Sequence, residues 1–392
     1  MRAILFACLL SLLALPARAQ DAPRSASQET APQPTFRTGV GLVRVDVTVT
    51  GRNDRPIEDL TIEDFEIRED GVPQTIQSMQ FIRMAQGPDA DAAPIRSADH
   101  AAIEAGREDV RLLVIFLDDY HLRYGPQYDA QLKRMLRGFV EAEMLPTDLF
   151  AVVGPLTPIS DLGLTRDKQE ILKRIDAFQG RLGGFVPPRS PIEESHEYLP
   201  FGQRMRIRSE VTLSALEAVA LHLGALREGR KSVLFISEGP SMYADGLNLF
   251  GTLRRVTTAA NTSNVTIHTL DPRGLGPHTV RSAANDTLAA ETGGRRLQQS
   301  NDYSKGLRAV LNDASAYYLL GYAPARDPAD GKFHEIDVRV RRKGVRVLAR
   351  KGYWAPKPED MRPPDRPRAP TEITRALEDV GDSARPRLVR DW

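Results

Sequence analysis

The sequence has almost no cysteine: Cys8 is the one cysteine among 392 residues. A chain with one thiol forms no internal disulfide and no multi-cysteine metal site. The seven histidines are also scattered, without the His-x-x-x-His or His-x-x-Glu-His spacing of zinc enzymes. No Gly-x-Ser-x-Gly sequence follows a predicted strand, so a hydrolase of that type lacks its nucleophile. These absences exclude the most recognisable metal and hydrolase classes.

The chain also lacks a charge excess of either sign. It has 53 basic and 52 acidic residues, which gives a formal net charge of +1. A protein that binds nucleic acid or an anionic membrane through its overall field needs a clear positive excess. The composition therefore predicts neither nucleic acid nor an anionic membrane as a partner.

The first residues have the pattern of a secretory signal. Arg2 is followed by an apolar stretch from Ile4 to Leu15 and by the small-x-small sequence Ala17-Arg-Ala19. The apolar stretch is too short to span a bilayer comfortably, although an uncleaved membrane anchor is the alternative. Cleavage would remove Cys8 and leave a chain without a thiol or a membrane span. We therefore expect a secreted or periplasmic protein.

The stretch from Val110 to Leu122 organises the rest of the chain. Leu112 to Leu117 is an unbroken apolar run, which favours a parallel strand buried on both faces. Asp118 and Asp119 follow directly, where ligands bind in open α/β sheets. Apolar runs and amphipathic helical patterns then alternate as far as residue 314, which predicts a doubly wound α/β domain.

Both flanks of this domain have the alternating pattern of antiparallel strands. The valines from Val43 to Val49 alternate with polar residues, and Asp70-Gly71 indicates a hairpin whose return strand runs from Gln74 to Ile82. A second alternating segment covers 332–353. The N-terminal unit is too thin to be stable alone, so we expect both ends of the chain to build one antiparallel β-sandwich.

The predicted organisation is a signal peptide at 1–19, a disordered spacer at 20–38, an N-terminal β unit at 39–83, a partly helical linker at 84–108, the α/β domain at 109–314, C-terminal β strands at 315–355, and a mostly disordered Pro/Arg-rich tail at 356–392 with one short helix in 371–392.

Several motifs together resemble a known family. They are the strand that ends at Asp118, Thr212-Leu-Ser-Ala-Leu, Gly229-Arg-Lys-Ser-Val-Leu-Phe-Ile-Ser-Glu-Gly239, Ala316-Tyr-Tyr-Leu-Leu-Gly-Tyr322, and Arg350-Lys-Gly-Tyr353. In this order they resemble the von Willebrand factor type A-related domain proteins of the acidobacterial type, over roughly residues 38–355. The resemblance implies a type A-like α/β domain and a secreted adhesion- or scaffold-like protein, without a settled activity.

The resemblance also implies a metal site at the top of the sheet. Type A domains hold Mg²⁺ through Asp-x-Ser-x-Ser and a later threonine and aspartate, a ligand set that suits a hard cation. Here the first motif reads Asp118-x-Tyr120-x-Leu122, so both serines are missing. The remaining candidate ligands of Mg²⁺ (or Mn²⁺ or Ca²⁺) are Asp118, Thr212, for which Thr165 is a rival, and Glu238. The alternative is a rim whose polar residues only cap helices and loops.

The leading functional hypothesis is an exported, non-enzymatic binding protein that acts in adhesion, scaffolding or assembly. It would contact an unidentified protein partner through the top of the sheet, at Asp119, Tyr120, His121, Ser237, Ser241 and Tyr243. A second hypothesis is a hydrolase or transferase that uses Asp118, Asp119 and His121 for acid–base chemistry. A third is a structural envelope component without a specific ligand. Residues 180–205, with Glu193-Glu194 and the arginines from Arg204 to Arg208, are expected to form an exposed, solvated loop.

Overall fold

The structure, a computed structural model, describes residues 42–84, 92–107, 109–244, 247–274, 282–298, 300, 302–325 and 330–355. The predicted signal peptide, the spacer and the tail with its short helix lie outside these residues. The described chain combines one parallel sheet with antiparallel sheets and helices. The expectation of a mixed α/β chain is therefore confirmed.

Five strands form the parallel sheet, and every neighbouring pair in it is parallel. The apolar run that follows Arg111 forms an interior strand of this sheet with the predicted bounds, and all six residues are buried. Numbered along the chain, the five strands lie in the spatial order 5-4-3-1-2. They are β5 (Leu112–Leu117), β6 (Leu149–Val153), β7 (Lys231–Ile236), β10 (Val265–Leu270) and β11 (Arg296–Leu297).

Helices cover both faces of this sheet. Alternate residues of β5 explain this arrangement, because Leu112, Val114 and Phe116 lie in one apolar core and the intervening residues lie in a second one. The helices are α1 (Ala98–Ala105), α2 (Pro126–Glu143), α3 (Lys168–Asp176), α4 (Pro191–Glu197), α5 (Phe201–Leu226), α6 (Phe250–Thr262), α7 (Ala283–Glu291) and α8 (Ser304–Ser315).

Helix α5 has the length and hydropathy of a membrane span. Its apolar residues nevertheless pack against the parallel sheet: Leu213, Leu216 and Leu223 belong to the same core as β5 and β7. The core helix of a globular protein can have the same length and hydropathy as a membrane span.

Two four-stranded antiparallel sheets share a third apolar core. The alternating valines of the first strand point into this core, and each is at most 9% exposed. The strands of the two sheets are β1 (Val43–Thr50), β2 (Phe65–Glu69), β3 (Val72–Gln74), β4 (Ile76–Arg83), β12 (Ala316–Tyr322), β13 (Phe333–Val340), β14 (Arg346–Ala349) and β15 (Gly352–Trp354). One sheet has the order β14-β1-β12-β4 and the other β15-β13-β2-β3. A separate hairpin is formed by β8 (Tyr243–Ala244) and β9 (Leu247–Asn248).

Strands from the two ends of the described chain pair directly in both sheets. Strand β1 lies between β12 and β14, and Val47 is opposite both Tyr318 and Ala349. Strand β2 pairs with β13, so that Ile67 is opposite Val338. Neither the N-terminal nor the C-terminal strands could complete these sheets alone.

The predicted return strand from Gln74 to Ile82 is wrong in its pairing. The Asp70-Gly71 hairpin is present, but its second strand is the three-residue β3, which includes Pro73. Proline cannot donate a hydrogen bond, which restricts it to edge strands, and β3 is the edge of its sheet. The chain then crosses to the other sheet as β4, which pairs with β12.

Arg295 links three parts of the described chain. It precedes β11, and its guanidinium donates to Asp313 on α8 and to Asp54 in the turn after β1. The side chain of Arg295 is 8% exposed and that of Asp313 is fully buried. Because burial of an unpaired carboxylate is costly, this pair fixes α8 against the sheet and the N-terminal turn.

We predict that Arg295→Met destabilises the protein by about 3–5 kcal/mol, because it leaves the Asp313 carboxylate buried without its partner. Urea unfolding measures this difference. The matched control is Arg255→Met, which breaks the pair with Glu217 at a site where the arginine side chain is 57% exposed; it should cost at most about 1 kcal/mol. Equal effects of the two substitutions would contradict the prediction.

Candidate functional site

The candidate site lies where the strand order of the parallel sheet reverses. The chain leaves β5 toward β6 on one side and leaves β7 toward β10 on the other, so the loops that follow these adjacent strands diverge. Such a point is the usual ligand site of an open α/β sheet. Asp118 follows β5 and Ser237 follows β7, and the backbone N–H of Asp118 donates to the carbonyl of Ile236 at 3.0 Å.

Asp118 is fully buried, and its carboxylate accepts hydrogen bonds from three side chains. His121 Nδ1 lies 2.8 Å from Oδ2 and 3.0 Å from Oδ1. Thr212 Oγ1 donates to Oδ1 at 2.9 Å, and Ser237 Oγ donates to Oδ2 at 2.6 Å. Each carboxylate oxygen therefore accepts from one hydroxyl group, and the two oxygens share the contact with His121 Nδ1. The three-residue helical turn Asp119–His121 brings the imidazole back to the aspartate three positions earlier.

Glu238, the third expected ligand, is paired with arginines. Its carboxylate accepts from the backbone N–H and Nε of Arg123, at 3.0 and 3.2 Å, and lies 3.8 Å from Nε of Arg273. Burial raises the pKa of Glu238, while the charge of Arg123 opposes this rise. The structure thus brings Asp118 and Thr212 into direct contact and engages the Glu238 carboxylate elsewhere. Thr165, the rival of Thr212, lies in a different loop, where its hydroxyl oxygen accepts from the backbone N–H of Asp167 at 3.1 Å.

The residues around Asp118 do not fit a magnesium ion. Mg²⁺ requires about six oxygen ligands in octahedral geometry. The Asp118 oxygens are already occupied by N–H and O–H donors, and an imidazole faces the carboxylate. A cation would have to displace the imidazole of His121, which is 1% exposed and lies against both oxygens of the Asp118 carboxylate.

His121 also connects Asp118 to Ser209 on α5. Its Nε2 lies 3.0 Å from Ser209 Oγ, and that oxygen accepts from the backbone N–H of Ser241 at 3.1 Å. One neutral tautomer satisfies these contacts: Nδ1–H donates to Asp118 and Nε2 accepts from the Ser209 hydroxyl. Sequence reasoning missed Ser209, since it lies 88 positions from His121.

The segment expected to be a solvated loop is instead held by buried ion pairs. Glu193 and Arg181 are 3.0 Å apart, with side chains that are 0% and 2% exposed. Arg208 and Glu197 are also 3.0 Å apart and nearly as buried. The prediction of an exposed loop is therefore wrong for these four residues, although Glu194 is exposed as expected. The composition of the segment predicted exposure to solvent because charged residues are rarely buried. Pairing with an opposite charge makes their burial possible.

Most of the expected binding face is also interior. Asp119, Tyr120, His121 and Ser237 are at most 5% exposed, so they cannot contact a partner in this conformation. Tyr120 packs under the guanidinium of Arg208, 5.1 Å from the ring centroid. The expectation of a surface made by these side chains is therefore wrong. Ser241 is partly buried, and the side chain of Tyr243 lies outside the described part of the chain.

The segment held by these ion pairs carries exposed aromatic residues that sequence reasoning did not select. Phe185 is 68% exposed, Tyr198 84% and Phe201 63%. All three lie on the segment that the buried ion pairs anchor. A Cβ on Gly184 would lie 2.2 Å from the ring of Tyr124, so this segment packs closely against the loop after β5. The signal in the sequence that could have indicated them is the occurrence of aromatic residues in a stretch rich in glycine, proline and arginine.

Comparisons with known proteins add little to this description. No family profile and no curated protein matches the chain. Among solved structures, the crystal structure of the TFIIH p34 N-terminal domain is similar to 52% of this chain and 95% of its own, with 14% sequence identity and a TM-score of 0.29. A similarity at this level supports no conclusion about fold or function.

The buried carboxyl group of Asp119 makes the stability of the protein depend on pH. Burial raises the pKa of Asp119 to about 6, because desolvation and the neighbouring Asp118 outweigh Arg189 and Arg181. The folded state thus binds this proton more tightly than the unfolded chain does. The stabilisation is present below about pH 4 and is lost as the pH rises through 6.

We therefore expect the free energy of unfolding of the wild type, relative to Asp119→Asn, to fall by about 2 kcal/mol between pH 4 and pH 7. Urea unfolding of both proteins across this range measures the difference. Asparagine preserves the size of the side chain and removes the titration. A difference that does not change with pH would contradict the prediction.

Proposed function

We propose that this chain is an exported, non-enzymatic binding protein related to the von Willebrand factor type A proteins, and that it acts in adhesion or assembly without a metal ion at Asp118. The observation that carries this proposal is the set of exposed aromatic side chains Phe185, Tyr198 and Phe201 on a segment fixed by buried ion pairs. The motifs around Asp118 and Gly229–Gly239 support the family, and the leader at 1–19 supports export.

Large exposed aromatic residues are the side chains that most often dominate a protein interface. They contribute most when their backbone is ordered before binding, because less conformational entropy is then lost. Here Glu193 is bonded to Arg181 and Arg189, and Arg189 also lies 2.7 Å from Asp119. The segment is thereby tied to the loop that follows β5.

Independence from metal follows from the contacts of Asp118. In a metal-dependent type A domain, the cation leaves a coordination position for a carboxylate of the partner. Here the Asp118 carboxylate is compensated by His121, Thr212 and Ser237. A partner would therefore be captured through apolar and aromatic contacts, and chelation of Mg²⁺, Mn²⁺ and Ca²⁺ tests this independence from metal.

We predict that Phe185→Ser and Tyr198→Ser each weaken partner binding at least about tenfold, because each removes a large apolar contact. The partner is first isolated from an envelope extract on the immobilised chain, then purified and titrated by biolayer interferometry. EDTA should leave the dissociation constant unchanged.

Ile103→Ser is the matched control, because Ile103 is 70% exposed on α1 and should not matter. A dissociation constant unaffected by both aromatic substitutions would overturn the proposed surface. Loss of binding in EDTA, restored by Mg²⁺, would show that the site is metal-dependent after all.

One observation favours a second function. Ser209, His121 and Asp118 are connected as in a serine hydrolase, with Ser Oγ to His Nε2 at 3.0 Å and His Nδ1 to Asp Oδ2 at 2.8 Å. This arrangement supplies the nucleophile that the hydrolase hypothesis lacked. Ser209 is however 0% exposed, so a substrate has no access to it in this conformation. We therefore rank hydrolysis second.

We predict that a fluorophosphonate probe does not label the native chain, because Ser209 is enclosed. Intact-protein mass spectrometry measures the label, with Ser209→Ala as the blank. Labelling of Ser209 that disappears in His121→Ala would reverse the ranking and establish a serine hydrolase.

A further inference from the structure

A group of metal-binding side chains lies in the β-sandwich, away from the parallel sheet. Glu69 ends β2, Asp70 begins the hairpin turn to β3, and His334 is the second residue of β13. One ligand atom from each lies within 4.8 Å of the others, and no second group of three acidic, histidine or cysteine residues with this spacing occurs in the part of the chain that the structure describes. Glu69 and His334 are buried, and Asp70 is exposed.

The distances within the group suit a small coordination sphere. His334 Nδ1 lies 2.9 Å from Asp70 Oδ2 and 3.5 Å from Glu69 Oε1. Ligands of a tetrahedral ion with bonds of about 2.0–2.1 Å lie roughly 3.3 Å apart. The three atoms could therefore surround one ion after small side-chain adjustments, with the exposed side of Asp70 open to water.

Neighbouring residues form hydrogen bonds with these side chains and orient them, as is usual around metal ligands. His334 Nε2 is 3.1 Å from Asp330 Oδ1, and a ligating histidine typically donates its second ring N–H to a carboxylate. Glu69 Oε2 accepts from the hydroxyl of Tyr322 at 2.5 Å, and its Oε1 accepts from Tyr353 at 3.3 Å. These contacts fix the Glu69 carboxylate in the sheet and leave its Oε1 beside His334.

A proton on His334 is the competing occupant. Burial disfavours the charged imidazole, but hydrogen bonds to Asp70 and Asp330 outweigh it and raise the pKa of His334. An imidazolium would satisfy the same carboxylates without a metal. A proton on Nδ1, however, would serve only Asp70 Oδ2 at 2.9 Å, because Glu69 Oε1, at 3.5 Å, is beyond the usual length of a hydrogen bond.

We propose that Glu69, Asp70 and His334 bind one divalent transition-metal ion of the Zn²⁺ or Mn²⁺ class, with Asp330 as a positioning residue for His334. One imidazole with two carboxylates suits these ions, whereas Ca²⁺ requires six to eight oxygen ligands. The ion would join the N-terminal hairpin to a strand 264 positions later in the chain. Its expected role is to hold together the strands contributed by the two ends.

The test uses the tag-free chain after treatment with EDTA and removal of the chelator. Isothermal titration with Zn²⁺ should show one ion per chain, and the thermal midpoint should rise, because an ion that binds only the folded state stabilises it. Ca²⁺ should give neither signal. Substitution by Co²⁺ should give the visible absorption of a four- or five-coordinate ion.

His334→Gln should abolish the titration signal, and Asp330→Asn should weaken binding about 10- to 100-fold. His222→Gln on α5 is the matched control and should bind as the wild type does. Asp70→Asn provides a ligand variant at an exposed position, in case His334→Gln does not fold, and circular dichroism checks each variant.

Absence of Zn²⁺ binding in the wild type would overturn the proposal and leave a protonated His334 as the occupant. Zn²⁺ binding that persists unchanged in folded His334→Gln and Asp70→Asn would also overturn it, because the ion would then lie elsewhere. Neither result bears on the aromatic surface around Phe185, which is tested by partner binding in EDTA.

Discussion

The carboxylate of Asp118 has no access to water, and the loops above the parallel sheet are arranged to compensate it. Three different elements supply its donors: the turn after β5, helix α5 and the loop after β7. An unpaired carboxylate at this depth would be costly enough to lose its charge or unfold the region. The requirement for donors therefore fixes the positions of these elements relative to one another. The enclosure of Ser209 and Tyr120 follows from the same packing.

Pairing of buried polar groups also joins the sandwich to the α/β layer. Arg230, at the entrance of β7, is 3% exposed; it donates to Thr48 of β1 and to Thr266 of β10, and its guanidinium lies over the ring of Tyr317. Thr48, on the polar side of β1, is fully buried under this arginine. Around Thr48 both sides of β1 are therefore enclosed, one by apolar contacts and the other by hydrogen bonds. These contacts explain how the N-terminal β unit, which has few strands of its own, is held stably against the α/β domain.

Sequence patterns predicted what depends on local periodicity. The apolar run from Leu112 to Leu117 predicted the interior strand β5 with its bounds, and the alternating valines predicted β1. The proximity of Thr212 to Asp118 followed from the family resemblance. Contacts between distant residues left no such pattern. Nothing in the sequence indicated that Arg181 contacts Glu193, so the sequence predicted a solvated loop where the structure has a buried segment. Nothing indicated the contact of His121 with Ser209 either.

The two histidines in carboxylate surroundings differ in what their environment permits. His121 has one carboxylate and one serine as partners, all buried, so the set is complete without an added ion. His334 faces three carboxylates, of which Asp70 and Asp330 retain access to water. The excess negative charge there can be balanced by a proton on the imidazole or by a divalent ion that enters from solvent. The same chemical pair, histidine and aspartate, therefore argues against a cation at the rim of the parallel sheet and in favour of one in the β-sandwich.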